Sequence, residues 1–401
     1  MNVRRSAAVL AATAVFGTAA PAVAASPSPS PSVVIPEGLY GDGDPTYDGV
    51  WRQSSALIAQ HRVKVRPAAQ AISWLAGQQC ANGAFAAFRA DPAKACDSKV
   101  MVDTNSTAVA VQALSAVGGH QDEIDKATTW LQSMQNKDGG WGYTPGGASD
   151  ANSTAVVIGA LGAAGQDVAT VVHEGKSPFD ALKKLALPCA KGGAFAYQPD
   201  KKGKLTANAD ATAAAVVGLR SMNMLSAEAD TRPEDTCADA PNPTEEQAAA
   251  NGAAYLAQAV QKDGHLKTAL PGSEDQPDYG NTADAVVALA VQRGAKAAQK
   301  PLKWLEKNSA AWAEQSGPAA YAQLIIAADV AGGDPRDFGG TNLVEQLNAT
   351  GPTPQKASAE KPAADSGDGS GNAVWWTVAA GLVAGVGIGF LFSGRRKKQQ
   401  P

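Results

Sequence analysis

The chain has 401 residues, enough for two or three average domains or for one large core with tails. Hydrophobic residues make up 44% and charged residues 18%, which excludes a disordered chain. The formal net charge is −4, but without six Arg and Lys residues near the two termini the rest holds 28 basic and 38 acidic side chains. This acidic body excludes a nucleic-acid partner, because phosphate binding needs a basic face.

The first 24 residues have the pattern of a secretory signal peptide. Arg4 and Arg5 form a basic start, and an apolar run over residues 7–15 follows them. Ala22-Val23-Ala24 is the small-residue pattern that precedes cleavage. Residues 25–37 are rich in Ser and Pro and predict an extended linker. We therefore expect the mature chain to be exported from the cell.

The other end of the chain predicts a membrane anchor. Residues 373–392 contain no charged side chain, and 20 helical residues at 1.5 Å each match the ~30 Å apolar core of a bilayer. The basic residues in 393–401 mark a cytoplasmic tail, and residues 352–372 form a flexible tether. The expected product crosses the cell membrane once, with its folded part extracellular and its C-terminus cytoplasmic.

Four cysteines agree with an exported protein. Pairing in sequence order, Cys80 with Cys96 and Cys189 with Cys237, would close two loops, although three connectivities are open. No CxxC spacing or histidine cluster accompanies these cysteines, so the sequence predicts no metal site.

An amphipathic motif recurs through residues 38–351. Its clearest copies cover residues 71–88, 126–143 and 181–197, a looser one covers 253–266, and 301–312 keeps only the helix. In each full copy a helix ends at a turn with Gln or Gly, and an aromatic residue or Leu follows in an extended segment. Their charged faces predict outer helices near 67–79, 122–135, 178–187, 244–261, 300–313 and 341–349.

A second motif follows each copy of the first. It begins with Asp, Asn, Ser or Thr, the residues that cap helix N-termini, and continues as a helix of Ala and Val. A helix that is apolar all round must be surrounded by others, so these helices belong to an inner layer. They are predicted near 47–60, 103–117, 150–163, 208–221, 280–293 and 317–331.

Alternating inner and outer helices predict an all-α fold over residues 38–351. Six such pairs close into an (α/α)6 toroid with one continuous core. An open solenoid is the alternative, because the stacking of repeats does not by itself require closure.

One copy of the first motif resembles the QW motif of the prenyltransferase and squalene-cyclase repeat superfamily. The resemblance lies in Lys126, Ala127, Trp130, Leu131, Gln135 and Gly139-Gly140-Trp141. It implies the (α/α)6 toroid but no single chemistry, since the superfamily includes class II terpene cyclases, zinc prenyltransferases, complement thioester domains and the α-domain of the cobalamin carriers.

The catalytic patterns of these relatives are incomplete in this sequence. Class II cyclases use a DxDD acid, and the nearest segment, Asn208 to Thr212, keeps only Asp210, a weak candidate for a catalytic acid. No zinc site is predicted, because the four histidines lie singly along the chain, and no cysteine lies in a thioester motif. The sequence leaves enzymatic activity open and favours a protein without it.

The polar starts of the inner helices are similar to those of the cobalamin-carrier α-domain, which implies ligand binding at the toroid mouth. The main hypothesis is therefore a surface-anchored protein, without a cofactor, that binds cobalamin or a similar amide-rich molecule and presents it to a membrane transporter or a second ligand-binding subunit. The alternatives are a divergent cyclase-type or prenyltransferase-type enzyme acting through Asp210, and a structural or adhesive surface domain. The predicted ligand-binding residues are Asp103, Asn105, Asp150, Asn152, Asn208, Asp210, Tyr279, Asn281 and Tyr321. A competing interpretation is that Asp103, Asp150, Asn208 and Asn281 only cap helices.

Overall fold

The computed structural model describes residues 34–230, 236–268 and 275–356. The predicted signal peptide, membrane span and basic tail lie outside these residues. Within the described ranges, no helix is both long and apolar enough to cross a membrane. Most of the regular secondary structure in the described residues is α-helical, beside strands of two residues and two short 3-10 helices.

Six helices form an inner ring. Each packs against the next in chain order, and the last packs against the first, so the ring closes. This closure distinguishes the toroid from the open solenoid. The inner helices are α1 (Gly49–Arg62), α3 (Thr104–Val117), α5 (Ala151–Ala163), α7 (Ala209–Leu219), α9 (Tyr279–Arg293) and α12 (Pro318–Val330).

Six helices alternate with these and pack against the outside of the ring. They are α2 (Ala69–Gly77), α4 (Gln121–Ser133), α6 (Pro178–Lys184), α8 (Glu245–Ala259), α10 (Ala295–Asn308) and α13 (Leu343–Ala349). The predicted outer helix at 300–313 is instead two helices, α10 and α11 (Ala310–Ser316). Proline favours the first turn of a helix, but α10 begins at Ala295, before the predicted start, and holds Pro301 in its interior.

Three short antiparallel pairs join the outer turns to the starts of inner helices. In each pair, the aromatic residue or Leu of an outer turn lies opposite the residue that caps the next inner helix: Phe85 opposite Asp103, Phe195 opposite Asn208, and Leu266 opposite Asp278. The pairs are β1 (Phe85–Ala86) with β2 (Val102–Asp103), β3 (Phe195–Ala196) with β4 (Ala207–Asn208), and β5 (Leu266–Lys267) with β6 (Pro277–Asp278).

Four buried threonines, which we call the helix-start threonines, complete this junction. Each lies four residues after the cap of an inner helix, and its hydroxyl accepts a hydrogen bond from the backbone N–H of the residue in the outer turn. The bonds run to Thr107 from Phe85 (2.9 Å), to Thr154 from Trp141 (3.1 Å), to Thr212 from Phe195 (2.9 Å), and to Thr282 from Leu266 (3.0 Å).

The QW-like motif is a buried structural turn. Trp141 has no exposed surface, and its indole N–H donates to the carbonyl oxygen of Leu131 at 2.7 Å. Gly139 has φ of +90°, and a Cβ there would lie 2.2 Å from the carbonyl oxygen of Ser177. The motif therefore needs glycine for its backbone conformation and tryptophan to fill the space between layers.

The cysteines pair in sequence order. Cys80 bonds to Cys96 and Cys189 bonds to Cys237, which selects one of the three connectivities that the sequence leaves open.

Candidate functional site

The inner ring encloses a cavity of about 610 Å³ along its axis. This volume lies within the range of small-molecule sites in proteins. Its wall comes from the inner helices, from the chain before α1, from α11 and from the segment after α7. The polar lining residues that matter below are Asp48, Ser55, Asp103, Asn105, Gln112, Asn152, Asp210, Asp284 and Gln323.

The segment that follows α7 closes the end of the cavity where the inner helices end. Met222 and Met224 line the cavity from this segment. The guanidinium of Arg62, at the end of α1, donates to the carbonyl oxygens of Met224 at 3.1 Å and Ala227 at 2.9 Å. The side-chain oxygen of Gln112 accepts from the backbone N–H of Met224 at 2.9 Å. These bonds make the segment a fixed floor.

The opposite end, where the inner helices begin, holds four of the predicted ligand-binding residues. Asp103, Asn105, Asn152 and Asp210 all line the cavity. Burial raises the pKa of Asp103 and that of Asp210, and for Asp210 the hydrogen bond from Asn152 opposes the rise. The cavity wall is thus polar and acidic at the end where the inner helices begin, which we call the mouth.

The other five predicted ligand-binding residues do not line the cavity. Asp150 and Asn208 cap α5 and α7 by accepting from the backbone N–H groups of Ser153 and Ala211. Tyr279 lies between Trp304 and Trp312, with ring centroids 5.1 and 5.5 Å away. Asn281 donates to the carboxylate of Asp278 through its backbone and its side chain, and Tyr321 is buried at 7% exposure.

The cap of α9 differs from the predicted one. Asp278 accepts from the backbone N–H of Asn281 at 3.0 Å, so Asp278 is the cap and Asn281 is the third residue of the helix. Aligned on the caps, Gly280 therefore stands where the other repeats have Asn105, Asn152 and Asp210. The amino-acid sequence misled here because Asn is itself a common capping residue.

Sequence reasoning missed Asp284, which lies one turn deeper in the cavity. Its carboxylate accepts from the side-chain amide of Gln323 at 2.8 Å, and Gln323 also donates to the carbonyl oxygen of Gly280. Burial and, next, the charge of Asp210 raise the pKa of Asp284 to about 7. Asp284 therefore holds a proton in a substantial share of molecules near neutral pH.

The repeat pattern contains a signal that identifies Asp284. Six residues after the cap, the inner helices carry Val109, Val156, Ala214 and Asp284 in turn. Val156 and Ala214 line the cavity with Asp284, so the position faces inward. A carboxyl at a position that is apolar in three other repeats indicates a candidate functional residue. This departure becomes visible only when the repeats are aligned with Asp278 as the cap of α9.

At the mouth, the side-chain oxygens of Asn105 and Asn152 accept no hydrogen bond from the described residues. Asn152 donates to the carboxylate of Asp210 at 2.7 Å, which fixes the orientation of its amide. The side-chain oxygens of both asparagines are buried. Buried acceptors in this condition are costly unless a ligand or water supplies a donor.

Below the mouth the cavity wall is mainly apolar. Its lower lining includes Ala155, Val156, Ala213, Val217, Val287 and Ile326, together with the methionines of the floor. Among the described residues, no group of three or more His, Cys, Asp or Glu side chains is arranged to hold a metal ion. The site therefore combines a carboxyl pair, Asp210 and Asp284, with an apolar chamber.

No protein-family model and no curated protein sequence matches this chain. Three similar solved structures are a protein from Actinoplanes, ent-copalyl diphosphate synthase from Streptomyces platensis and the type II terpene cyclase MstE from Scytonema. Their TM-scores are 0.48, 0.47 and 0.47, with 15%, 17% and 11% sequence identity. The matches cover 75%, 71% and 73% of this chain, and 96%, 50% and 91% of those chains. Terpene cyclases are thus among its structural neighbours. At these identities the similarity concerns the fold alone, so the residues of the cavity must indicate the function.

Proposed function

We propose that the protein is a divergent cyclase-type enzyme in which Asp284 donates a proton to an apolar substrate held in the toroid cavity. The observation that carries this proposal is a half-buried carboxyl that accepts a hydrogen bond from Gln323 and has a pKa of about 7 inside a largely apolar chamber. A general acid works best when its pKa is close to the working pH. This proposal moves the acid from Asp210, the predicted candidate, to its neighbour on α9.

The neighbours of Asp284 suit a proton donor. The charge of Asp210 opposes ionisation of Asp284, while the amide of Gln323 holds the carboxyl in one orientation. A carboxyl with this pKa is a mild acid, so a basic oxygen such as that of an epoxide is a better acceptor than an alkene carbon. The O–H bond of Asp284 breaks as the proton bonds to the epoxide oxygen, and the epoxide C–O bond opens.

The apolar chamber supports the later steps. Opening of the epoxide leaves a carbocation, and attack by an alkene of the same molecule closes a ring. Transfer of a proton from carbon to the carboxylate of Asp284 then restores the acid and gives a product that is an isomer of the substrate. The wall of Val217, Val287 and Ile326 carries no side-chain nucleophile, and such a surface keeps water from quenching the cation.

The test is turnover of the terminal epoxide of farnesol by the full chain with intact disulfides. The wild-type protein is expected to yield cyclic isomers of the same mass, separated by chromatography and identified by mass spectrometry. Asp284→Asn keeps the size of the side chain but removes the acidic proton, so we expect a rate loss of about 100-fold or more. Asp210→Asn is expected to retain more activity than Asp284→Asn.

Asp122→Asn is the matched control, because it makes the same chemical change on the exposed first turn of α4. Its rate should equal that of the wild type. Undiminished turnover by Asp284→Asn would remove Asp284 as the acid. An unreactive wild-type protein that binds the epoxide would remove the catalytic proposal.

A second candidate is capture, without catalysis, of cobalamin or another amide-rich molecule. The unpaired side-chain oxygens of Asn105 and Asn152 favour it, because they call for the N–H donors that amide groups supply. In this proposal the protein presents its ligand to a membrane transporter or a second ligand-binding subunit. The two disulfides support the predicted extracellular placement.

Titration of the full chain with cobalamin tests the second candidate. Binding is expected to raise the melting temperature and change the corrin absorbance, with ~2.7 kcal/mol of added stability at 100 times Kd. Asn105→Ala combined with Asn152→Ala should weaken this response. An unchanged melting temperature at millimolar cobalamin would exclude it as the ligand.

A further inference from the structure

We propose that the cavity selects molecules whose polar end is a hydrogen-bond donor without negative charge, an alcohol or a protonated amine, on an apolar body. It thereby discriminates against phosphate-bearing molecules of the same body. This inference rests on the proposed function only in using the same cavity, and it names the chemistry of the ligand's polar end rather than the reaction.

The charges of the lining exclude an anion. Asp48, Asp103, Asp210 and Asp284 line the cavity, whereas no Lys, Arg or His among the described residues does so. Asp48 has a partial counter-charge, since Arg52 lies 3.3 Å from its carboxylate. Asp103 and Asp210 lack a basic lining neighbour, and so does Asp284, whose pKa of about 7 leaves it mostly ionised at pH 8. A phosphate group placed among them at this pH would be repelled from several sides.

The unpaired oxygens at the mouth favour a ligand that donates hydrogen bonds. The side-chain oxygens of Asn105 and Asn152 are buried and accept no hydrogen bond from the described residues. Ser55, only 6% exposed, adds a hydroxyl to the cavity lining. Alcohols and ammonium groups supply the donors that these atoms lack, whereas an ionised phosphate supplies only acceptors.

Aromatic rings at the mouth fit the same class of ligand. Trp51, Tyr143 and Trp312 line the cavity beside its carboxylates. Ring faces attract ammonium groups and also cover apolar chains. The mouth therefore offers carboxylates, unpaired acceptors and aromatic rings together, and each of them favours a donor over an anion.

The experiment compares three probes that share one tail: farnesol, farnesylamine and farnesyl diphosphate. Their binding to the full, disulfide-intact chain is measured by calorimetry at pH 8, below the concentration at which the probes form micelles. Farnesol and farnesylamine are expected to bind at least about tenfold more tightly than the diphosphate. The ratio between alcohol and amine identifies which donor the site prefers.

The double variant Asp103→Asn with Asp210→Asn tests the cause. Asn still caps a helix, so α3 can keep its start, while two negative charges leave the mouth. The preference for farnesylamine over the diphosphate should fall by about tenfold or more, whereas Asp122→Asn should leave it unchanged. Equal or tighter binding of the diphosphate by the wild-type chain would overturn the inference, as would an unchanged preference in the folded double variant.

The failure of this inference and that of the proposed function are distinguishable. Binding of the alcohol or amine without turnover of the epoxide by the wild-type chain contradicts only the proposed reaction. Turnover of the epoxide together with tight binding of farnesyl diphosphate contradicts only the selectivity.

Discussion

Asp284 shows how one residue changes the character of a cavity wall. The equivalent residues of three other inner helices are Val109, Val156 and Ala214, so a carboxyl replaces an apolar side chain. Its position one turn below the mouth brings it under the influence of Asp210 on the adjacent helix and of Asp278 at the start of its own. Burial with two acidic neighbours keeps the proton on this carboxyl far above its ordinary pKa.

This residue predicts a pH dependence of stability. The folded protein keeps the Asp284 proton up to about pH 7, whereas the unfolded chain loses it near pH 4. Between these values the folded state binds more protons, so the free energy of unfolding falls as pH rises. Between pH 5 and pH 8 the free energy of unfolding should fall by roughly 2–4 kcal/mol less in Asp284→Asn than in the wild type. Urea unfolding of both proteins at the two pH values measures this difference. Identical pH profiles for the two proteins would contradict the raised pKa.

At the scale of elements, the helix-start threonines explain why the two sequence motifs occur together. The outer motif supplies an extended residue with a backbone N–H, and the inner motif supplies the hydroxyl that accepts it. In the third repeat, Thr212 accepts from Phe195 at 2.9 Å and donates to the carbonyl oxygen of Asn208 at 2.6 Å. The starts of α3, α5, α7 and α9, and with them much of the cavity mouth, are thereby fixed to the outer layer.

Thr212→Val tests this junction, because valine has nearly the same shape but lacks the hydroxyl. The change leaves the buried N–H of Phe195 without a partner, so we expect a loss of about 1–3 kcal/mol in the free energy of unfolding. Thr212→Ser restores the hydroxyl and should lose less. A Thr212→Val protein as stable as the wild type in denaturant unfolding would show that this hydrogen bond does not hold the junction.

At the scale of the whole molecule, closure of the ring creates the cavity, and two disulfides fasten its periphery. Cys189 and Cys237 join positions 48 residues apart, whereas Cys80 and Cys96 are 16 apart. In the chain-entropy account, a longer closed loop stabilises more. The expected contributions are about 4 kcal/mol for Cys189–Cys237 and about 3 kcal/mol for Cys80–Cys96.

Paired cysteine-to-alanine variants test this ranking. Cys189→Ala with Cys237→Ala is expected to lower the free energy of unfolding more than Cys80→Ala with Cys96→Ala does, since it frees the larger loop. Calorimetry of each variant, beside the wild type with and without reductant, measures both losses. A larger loss from the shorter loop would show that local packing outweighs loop entropy.

Much of the architecture follows from the sequence alone. All six inner helices were predicted within a few residues of their observed ends. Helix-capping residues followed by Ala and Val indicated α3, α5, α7 and α9 as inner helices, because an apolar helix has to be enclosed. Glycine before an aromatic residue predicted the outer turns for an equally local reason, visible at Gly139 and Trp141. The signal peptide, the anchor and the preference for an amide-rich ligand remain predictions of the sequence.

Only the tertiary structure decided which polar residues share a cavity. Helix caps and ligand contacts use the same residue types, so the sequence could not separate Asp150, which caps α5, from Asp210, which faces inward. Closure of the ring depends on contacts between α12 and α1, whose residues lie far apart in the chain. The acidity of Asp284 depends on burial and on charges from other elements, which a linear pattern does not contain. The sequence therefore determined the repeating scaffold, and the three-dimensional packing determined which polar residues line its cavity.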